Sequence, residues 1–347
     1  MNTGLRYALA FMVPLVGALV FTPVLGRLAG RAGIVDHPKQ DRFHSRATPY
    51  LGGVAIAAGL LLVVLLVPGE PDQVAVVVVG ALVLGGLGLV DDVRGGLGPT
   101  VKLALEGAAG AALWAVGIRA GIFDVPALDF GLTVGWVVVV TNAVNLLDNM
   151  DGVAAGVVAV AATGMFAIAA DQGDFLVASM ALAVAGGCLG FLRYNFPPAS
   201  IFMGDAGTLF LGFLLAALGM KLDLIDPGTL ARAVIPVLAV GVPLFDMALV
   251  ILSRASSGRS IYRGGTDHSA HRLAARGVGT RRIAITAYAA QVACSIAAFL
   301  LVGSAADTTE GSLVVAVVVA TGLLGLFLRM RVAGEDASVS SERSTLY

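Results

Sequence analysis

Three polar side chains recur at every third position in residues 141–152, which read TNAVNLLDNMDG. Asn145, Asp148 and Asp151 follow directly on an apolar run, and in a helical or near-helical turn they lie on roughly one face. Their side-chain oxygens suit a hard metal ion or hydrogen bonds to a sugar or base. A helix cap at Asp151 and Gly152 is the structural alternative, but it accounts for only one of the three. We therefore interpret the cluster as part of a functional site.

Two further acidic positions stand at the ends of other apolar runs. Asp91 and Asp92 are adjacent in GLGLVDDVRGGLGPTVK, and a pair of negative charges at a membrane boundary indicates a metal or an organic cation nearby. A solvated helix end is the alternative. Asp205 lies among small residues in IFMGDAGT, where it could be the N-cap of a helix. The small neighbours also leave room for a metal or phosphate, which favours a ligand role.

Basic side chains follow the aspartate pair. Arg94 and Lys102 are candidate charge partners or phosphate ligands. Lys102 is spaced i, i+4 from Glu106 on one predicted helix, so these two side chains could instead simply neutralise each other. The sequence leaves both interpretations open.

A basic segment, residues 254–282, combines seven arginines with Asp267, His268 and His271. Two histidines without a third ligand are weak evidence for zinc, whereas a basic segment with histidines fits a di- or triphosphate. The alternative is that the arginines only set the orientation in the membrane and bind anionic lipid headgroups. That alternative explains the positive charge of the segment but not its histidines. Asp246 lies in the preceding apolar run and is either a functional carboxylate or the partner of a nearby arginine.

Composition indicates the elements that must position these groups. Of the 347 residues, 58% are hydrophobic and 13% are charged, against about 45–50% apolar and 25% charged in soluble domains. The chain is therefore predicted to be an all-α, polytopic membrane protein. It has no basic tract suited to nucleic acid, and Cys188 and Cys294 both lie inside apolar runs, so no disulfide framework or zinc site is expected.

Eleven apolar runs approach the length of about 20 residues that spans a bilayer. They are residues 5–29, 51–67, 74–90, 101–122, 131–146, 153–170, 175–192, 207–222, 230–252, 283–303 and 312–330. The fifth is short and continues into a polar cluster, so ten spans are the alternative. The first run is interpreted as a retained helix and not a signal peptide. We expect one membrane domain, residues 1–332, without an internal repeat, and a disordered cytoplasmic tail, residues 333–347.

The distribution of positive charge predicts an orientation. All but four of the 22 lysines and arginines lie in the connections after odd-numbered runs or in the tail; the exceptions are Arg6, Arg119, Lys221 and Arg232. The positive-inside rule then places the N-terminus outside and the C-terminus in the cytoplasm. Every polar cluster described above falls on the cytoplasmic side, which favours one shared site over separate surface loops.

Taken together and in order, these motifs resemble the polyprenyl-phosphate N-acetylhexosamine-1-phosphate transferases. The resemblance runs from the first connection, VDHPKQDRFHSRATPYLGG, to the DHSAHRL of the basic segment, and so covers nearly the whole chain. It implies transfer of a sugar 1-phosphate from a UDP-N-acetylhexosamine to a polyprenyl phosphate in the plasma membrane, with release of UMP. It also implies Mg²⁺, for which Mn²⁺ could substitute, and leaves a homodimer open.

The resemblance also implies roles for individual residues. Asp205 and Asn145 would hold Mg²⁺, and Asp91 and Asp92 would act near the lipid phosphate, one of them as a base. Seven further residues would bind the nucleotide or the sugar: Asp148, Asp151, Asn195, Arg259, Arg263, His268 and His271. Lys102 and Arg46 would contact the lipid phosphate or serve as charge partners.

Two departures from the family pattern bear on the substrate. The usual DG-hydrophobic-DG sequence is here DNMDG, and the two histidines of the basic segment are separated by Ser269 and Ala270. The histidine spacing favours the branch that uses UDP-N-acetylglucosamine, with the phospho-N-acetylmuramoyl-pentapeptide branch as the alternative.

Two other classes of protein are weighed against this family. A transporter or flippase for an anionic lipid or sugar phosphate would carry acids near the midplane and inverted repeats, whereas these acids cluster at one interface. A CDP-alcohol phosphotransferase would carry D-G-x-x-A-R, whereas Asp151 and Gly152 continue as VAAG.

Overall fold

The computed structural model describes residues 2–37, 47–64, 71–123, 125–222, 229–260 and 265–304. Twelve α-helices account for most of this part of the chain. They are α1 (Thr3–Ala32), α2 (Gly52–Val64), α3 (Pro71–Arg94), α4 (Pro99–Ala115), α5 (Pro126–Leu147), α6 (Val153–Asp171), α7 (Phe175–Asn195), α8 (Gly204–Met220), α9 (Thr229–Ala239), α10 (Gly241–Ser256), α11 (Ser269–Ala275) and α12 (Thr280–Ser304). Two short strands, β1 (Val35–Asp36) and β2 (Thr48–Pro49), pair antiparallel.

The predicted fold class, an all-α polytopic membrane protein, is confirmed. Within the described ranges, six helices are long and apolar enough to cross a membrane, and seven if one bent pair counts as a single span. Each of the first ten predicted runs contains helix within the described residues, and α2 and α8 are shorter apolar helices. The eleventh run, residues 312–330, and the tail, residues 333–347, lie outside the described residues.

Two of the predicted runs differ from the helices. The fourth was expected to continue to residue 122, but α4 ends at Ala115, and Gly117 then takes a positive φ of 85°. The ninth is two helices, because α9 and α10 meet at an angle of 84° across Val240. Both breaks lie inside predicted apolar runs, so the bounds of the runs did not indicate them.

The helices form inner and outer layers. α6 and α7 are rich in alanine and glycine and are buried over most of their length, whereas α1, α3 and α12 expose apolar side chains. Small residues let helix backbones approach closely, which is how helices pack where lipid is as apolar as leucine. α8 is the central helix and packs against α2, α3 and α5.

Chain direction brings the polar clusters to one end of this bundle. α3 and α5 end there, at Arg94 and Leu147, while α4 and α8 begin there, at Pro99 and Gly204. Helix termini leave unpaired N–H and C=O groups, so polar side chains are stabilised at such a place. The acidic motifs therefore meet because neighbouring helices alternate in direction.

Candidate active site

Asp205, in the first turn of α8, is the centre of the polar cluster. Its Oδ2 accepts a hydrogen bond from Lys102 Nζ at 2.5 Å, and its Oδ1 accepts one from Asn145 Nδ2 at 2.9 Å. Lys102 Nζ also donates to Asp91 Oδ2 at 2.9 Å. Four predicted site residues from α3, α4, α5 and α8 therefore form one connected network.

The two adjacent aspartates have different partners. Asp92 accepts the backbone N–H groups of Asp205 at 2.9 Å and Ala206 at 3.1 Å, and so caps the N-terminus of α8. Asp91 reaches Lys102 and also accepts the backbone N–H of Leu97 in the turn between α3 and α4. Of the pair, Asp91 thus belongs to the polar network, whereas Asp92 fixes the helix that carries Asp205.

Two glycines make the Asp92 cap possible. A Cβ on Gly88 would overlap the backbone of Asp205, so only glycine lets α3 and α8 approach this closely. Gly204 has a positive φ of 72°, and a Cβ there would overlap the carboxylate of Asp92. The sequence around the aspartate therefore sets the separation of the two helices.

Asp151 and Asn195 hold the segment that leads into α8. Asp151 Oδ2 accepts the N–H of Ala199 at 2.8 Å. Asn195, which is 2% exposed, accepts the N–H of Gly152 at 3.0 Å and donates to the carbonyl of Ile201 at 2.9 Å. These bonds give both side chains a structural task at the edge of the site, in addition to the binding role predicted from sequence.

A cavity of about 100 Å³ lies beside this network. Its lining includes six of the predicted site residues: Asp92, Asn145, Asp148, Asp151, Asn195 and Asp205. Tyr50 and Phe202 complete one wall, with ring centroids 6.2 Å apart. The expectation that motifs far apart in sequence converge on a single place is confirmed for these residues.

The basic segment contains a buried ion-pair cluster around Asp267. Arg254, which is 3% exposed, donates from Nε to Asp267 Oδ2 at 3.1 Å, and Arg259 donates to Asp267 Oδ1 at 2.5 Å. Burial by itself would raise the pKa of the Asp267 carboxyl, but the hydrogen bonds from Arg259 and Arg254 outweigh it and hold that pKa below its usual range. Arg259 is thus paired within the protein, although its side chain remains half exposed.

Asp246 contacts the histidine segment. Its Oδ2 lies 2.8 Å from His268 Nδ1, and its Oδ1 accepts from the backbone N–H and the hydroxyl of Ser269 at 2.8 and 2.6 Å. The carboxylate fixes the orientation of the imidazole and the start of α11. Of the two alternatives for Asp246, the hydrogen bonds therefore favour a role beside the histidine, whose ring centroid is 5.8 Å from that of His271.

The histidine segment packs next to the cavity. Ala270 of α11 and Ile283 of α12 belong to one apolar cluster with Leu147, Met150 and Val153, which flank the polar cluster of residues 141–152. Because Met150 also lines the cavity, α11 is held at the same end of the bundle as Asp205.

Some sequence expectations are changed or lie outside the described residues. Lys102 and Glu106 do not form an ion pair within the described part of the chain, so the mutual-neutralisation interpretation is wrong: Lys102 bonds to Asp91 and Asp205 instead. Arg46 and Arg263 lie outside the described residues.

Two polar residues of the site were missed from sequence. Asn142 donates to Glu106 Oε2 at 2.5 Å, and Asn145 Nδ2 also donates to Thr208 Oγ1 at 2.8 Å. Both missed residues keep the helical spacing of the known ones, since Asn142 precedes Asn145 by three and Thr208 follows Asp205 by three. Extending each motif by one turn would have found them.

A family model described as Glycosyl transferase family 4 matches residues 74–223, which contain the whole Asp205 network. With the helical bundle, this match defines the chain as an integral membrane transferase.

Similar proteins extend the match along the chain. A probable undecaprenyl-phosphate N-acetylglucosaminyl 1-phosphate transferase of Bacillus subtilis is 35% identical over 307 residues, 86% of this chain and 85% of that protein. A decaprenyl-phosphate N-acetylglucosaminephosphotransferase of Mycobacterium tuberculosis is 32% identical over 75% of this chain and 74% of its own. A phospho-N-acetylmuramoyl-pentapeptide-transferase of Moorella thermoacetica is 34% identical over 83% and 97%. The chain therefore belongs to glycosyl transferase family 4, and the predicted resemblance and enzyme class are confirmed.

Proposed function

We propose that this chain transfers N-acetylglucosamine 1-phosphate from UDP-N-acetylglucosamine to undecaprenyl or decaprenyl phosphate and releases UMP. This would be the first membrane step in synthesis of a cell-envelope polysaccharide. The observation that carries the proposal is the network of Asp205, Lys102, Asn145 and Asp91 beside a cavity at one end of a membrane bundle. The names of the Bacillus and Mycobacterium relatives support the substrate class.

The site is assigned to the cytoplasmic face of the plasma membrane. The bias of lysine and arginine toward this end of the bundle supports that orientation, with the N-terminus outside. A polyprenyl phosphate would keep its chain in lipid and present its phosphate at the interface, where a soluble nucleotide sugar can reach it. The membrane fold is thus suited to joining one lipid-soluble and one water-soluble substrate.

The donor set fits Mg²⁺. Asp205 and Asn145 would supply carboxylate and amide oxygens, and Mg²⁺ characteristically uses one or two carboxylates together with water and substrate phosphates. The Asp205 carboxylate carries a positively charged partner, the Lys102 ammonium, which supports a cation at this position. When bound, Mg²⁺ or Mn²⁺ would neutralise charge on the substrate phosphates.

The protein's own residues then have separate tasks in the reaction. An oxygen of the lipid phosphate attacks the β-phosphorus of the UDP-sugar, and the bond to the UMP oxygen breaks. Bringing two anions together is the main barrier, so positioning and positive charge matter more than covalent help. In the structure Lys102 is the charge partner of Asp91, which we assign as the acidic group next to the lipid phosphate. Asp92 positions Asp205 by capping α8.

The nucleotide would lie along the cavity toward the histidine segment. Asp148 lines the cavity and would contact the nucleotide, while His268, oriented by Asp246, would donate to the diphosphate or sugar. Asp151 and Asn195 support this wall, and Arg259, which pairs with Asp267, would bind the diphosphate or sugar.

The test is release of UMP from a panel of UDP-sugars with a polyprenyl phosphate and Mg²⁺, repeated with EDTA. We expect the highest rate with UDP-N-acetylglucosamine and no release with EDTA. Preference for UDP-N-acetylmuramoyl-pentapeptide would place the chain in the branch of the Moorella relative, and absence of UMP with every donor would contradict the proposal. Light scattering on the same preparation tests whether the chain forms a homodimer.

A further inference from the structure

Lys102 occupies a position that a divalent cation would also need. Its Nζ bridges Asp91 Oδ2 at 2.9 Å and Asp205 Oδ2 at 2.5 Å. Asp205 is the carboxylate to which the proposed function assigns the metal, and an ammonium on that carboxylate repels a divalent ion. Cation binding at Asp205 therefore requires Lys102 to give up this ion pair and find another partner for its charge.

Glu106 lies one helical turn beyond Lys102 on the same face of α4. Its side chain is completely buried, at 0% exposure, and its Oε2 accepts a hydrogen bond from Asn142 at 2.5 Å. Its Oε1 has no hydrogen-bond partner among the described residues. A buried acceptor without a donor costs free energy, so a cation that could move within reach would be stabilised there.

Lys102 is suited to make that move. A lysine has a compact charge on a flexible four-carbon stem, and residues spaced i, i+4 on a helix are within contact distance. Asn142 holds the other oxygen of Glu106, so the free oxygen stays in place while the lysine turns. The Glu106–Asn142 bond also joins α4 to α5 one turn from Asn145, so this acceptor is built into the same two helices as the site.

We propose that Lys102 has two positions, bridging Asp91 and Asp205 before a divalent cation binds and pairing with Glu106 once the cation is on Asp205. Glu106 is then a positioning residue, which raises the affinity for the cation by receiving the displaced ammonium. No covalent bond is made or broken. The inference rests on the metal role of Asp205 in the proposed function, and it adds a residue that the family motifs did not single out.

A purely structural role for Glu106 makes different predictions. Glutamine keeps the size of Glu106 and still offers an oxygen to Asn142, so a cross-link between α4 and α5 would survive Glu106→Gln. Any remaining effect of that substitution would also be independent of Lys102. The two roles are therefore separated by a double-mutant cycle.

The experiment measures Mn²⁺ binding to the full-length chain in detergent micelles, without substrates, from the electron paramagnetic resonance signal of free Mn²⁺. We expect Glu106→Gln to weaken binding roughly tenfold, the scale of a hydrogen bond to a charged group. Lys102→Met removes the competing ammonium, so binding should be at least as tight as in the wild type. In the Lys102→Met background, Glu106→Gln should then have less than about a twofold effect. Asp205→Asn should abolish the signal change, which identifies the site observed.

Three outcomes would overturn the proposal: no effect of Glu106→Gln, an equal loss of affinity in both lysine backgrounds, or Mn²⁺ binding that does not depend on Asp205. UMP release from the same preparations is recorded separately. If the chain releases UMP but shows either of the first two results, the proposed function stands and only the two positions of Lys102 are rejected. Mn²⁺ binding that does not depend on Asp205 would also reject the metal role of Asp205. A chain that binds Mn²⁺ as expected but releases no UMP retains the lysine mechanism and loses the proposed reaction.

Discussion

At the scale of single residues, Asp205 carries the largest expected effect. Asp205→Asn keeps the shape of the side chain but removes the charge that holds Lys102 and would hold the metal. We expect UMP release to fall by at least about 100-fold. Mutation of residues that only hydrogen-bond to a metal ligand typically lowers metal affinity or activity by about 10–100-fold, and Asp205 would itself be a ligand. The measurement is the initial rate in detergent, with the melting temperature as evidence of folding. Unchanged turnover in folded protein would contradict the metal role.

Asp91 and Asp92 give a matched pair, since their partners differ although they are adjacent. Asp92→Asn leaves one oxygen for the two N–H groups at the start of α8, so we expect a loss of about 1–2 kcal/mol in unfolding free energy, measurable as a lower melting temperature. Asp91→Asn should lose turnover in folded protein while UDP-sugar binding stays near wild type. If binding of the UDP-sugar were lost instead, Asp91 would serve the nucleotide and not the lipid phosphate.

At the scale of helices, the approach of α3 to α8 is the feature on which the site depends. Gly204→Ala places a Cβ at a positive φ and against the carboxylate of Asp92, so it should destabilise the protein by about 1–3 kcal/mol and reduce turnover. Gly86→Ala, in the middle of α3 with no atom within 4 Å of the new Cβ, is the matched control and should be neutral or stabilising by about 0.5–1 kcal/mol. Equal effects of the two substitutions on the melting temperature would show that Asp92 does not need Gly204.

The sequence predicted those features of the helices that are determined within a single segment, and missed those that depend on packing between segments. The apolar runs located the helices because span length and hydropathy belong to each segment by itself. The bend between α9 and α10 and the early end of α4 were not predicted, because the apolar sequence continues through both breaks. Convergence on one site followed from loop parity, but the separate tasks of Asp91 and Asp92 depend on how closely α3 meets α8. The distance between α3 and α8 is set by packing at Gly88 and Gly204, and no single sequence motif predicts that distance.

At the scale of the whole molecule, the orientation in the membrane decides whether the site can meet its substrate. The Asp205 network lies at one end of the bundle, and Asp171, at the C-terminus of α6, lies at the opposite end from the start of α6 at Val153. Both native cysteines, Cys188 and Cys294, are buried and should not react with a bulky, membrane-impermeant maleimide. Because the native cysteines should not be labelled, labelling of a variant with one introduced cysteine can be attributed to that cysteine.

We expect Asp171→Cys to be labelled by the impermeant maleimide in intact cells. Arg276→Cys, at the exposed end of α11 beside the histidine segment, should be labelled only after the membrane is permeabilised. The reason is the positive-inside rule, since the arginine-rich connections belong to the end that carries the site. The reverse pattern would place Asp205 outside the cell, away from the cytoplasmic pool of nucleotide sugars, and the transfer reaction would then fail for this chain even with every side-chain contact as described.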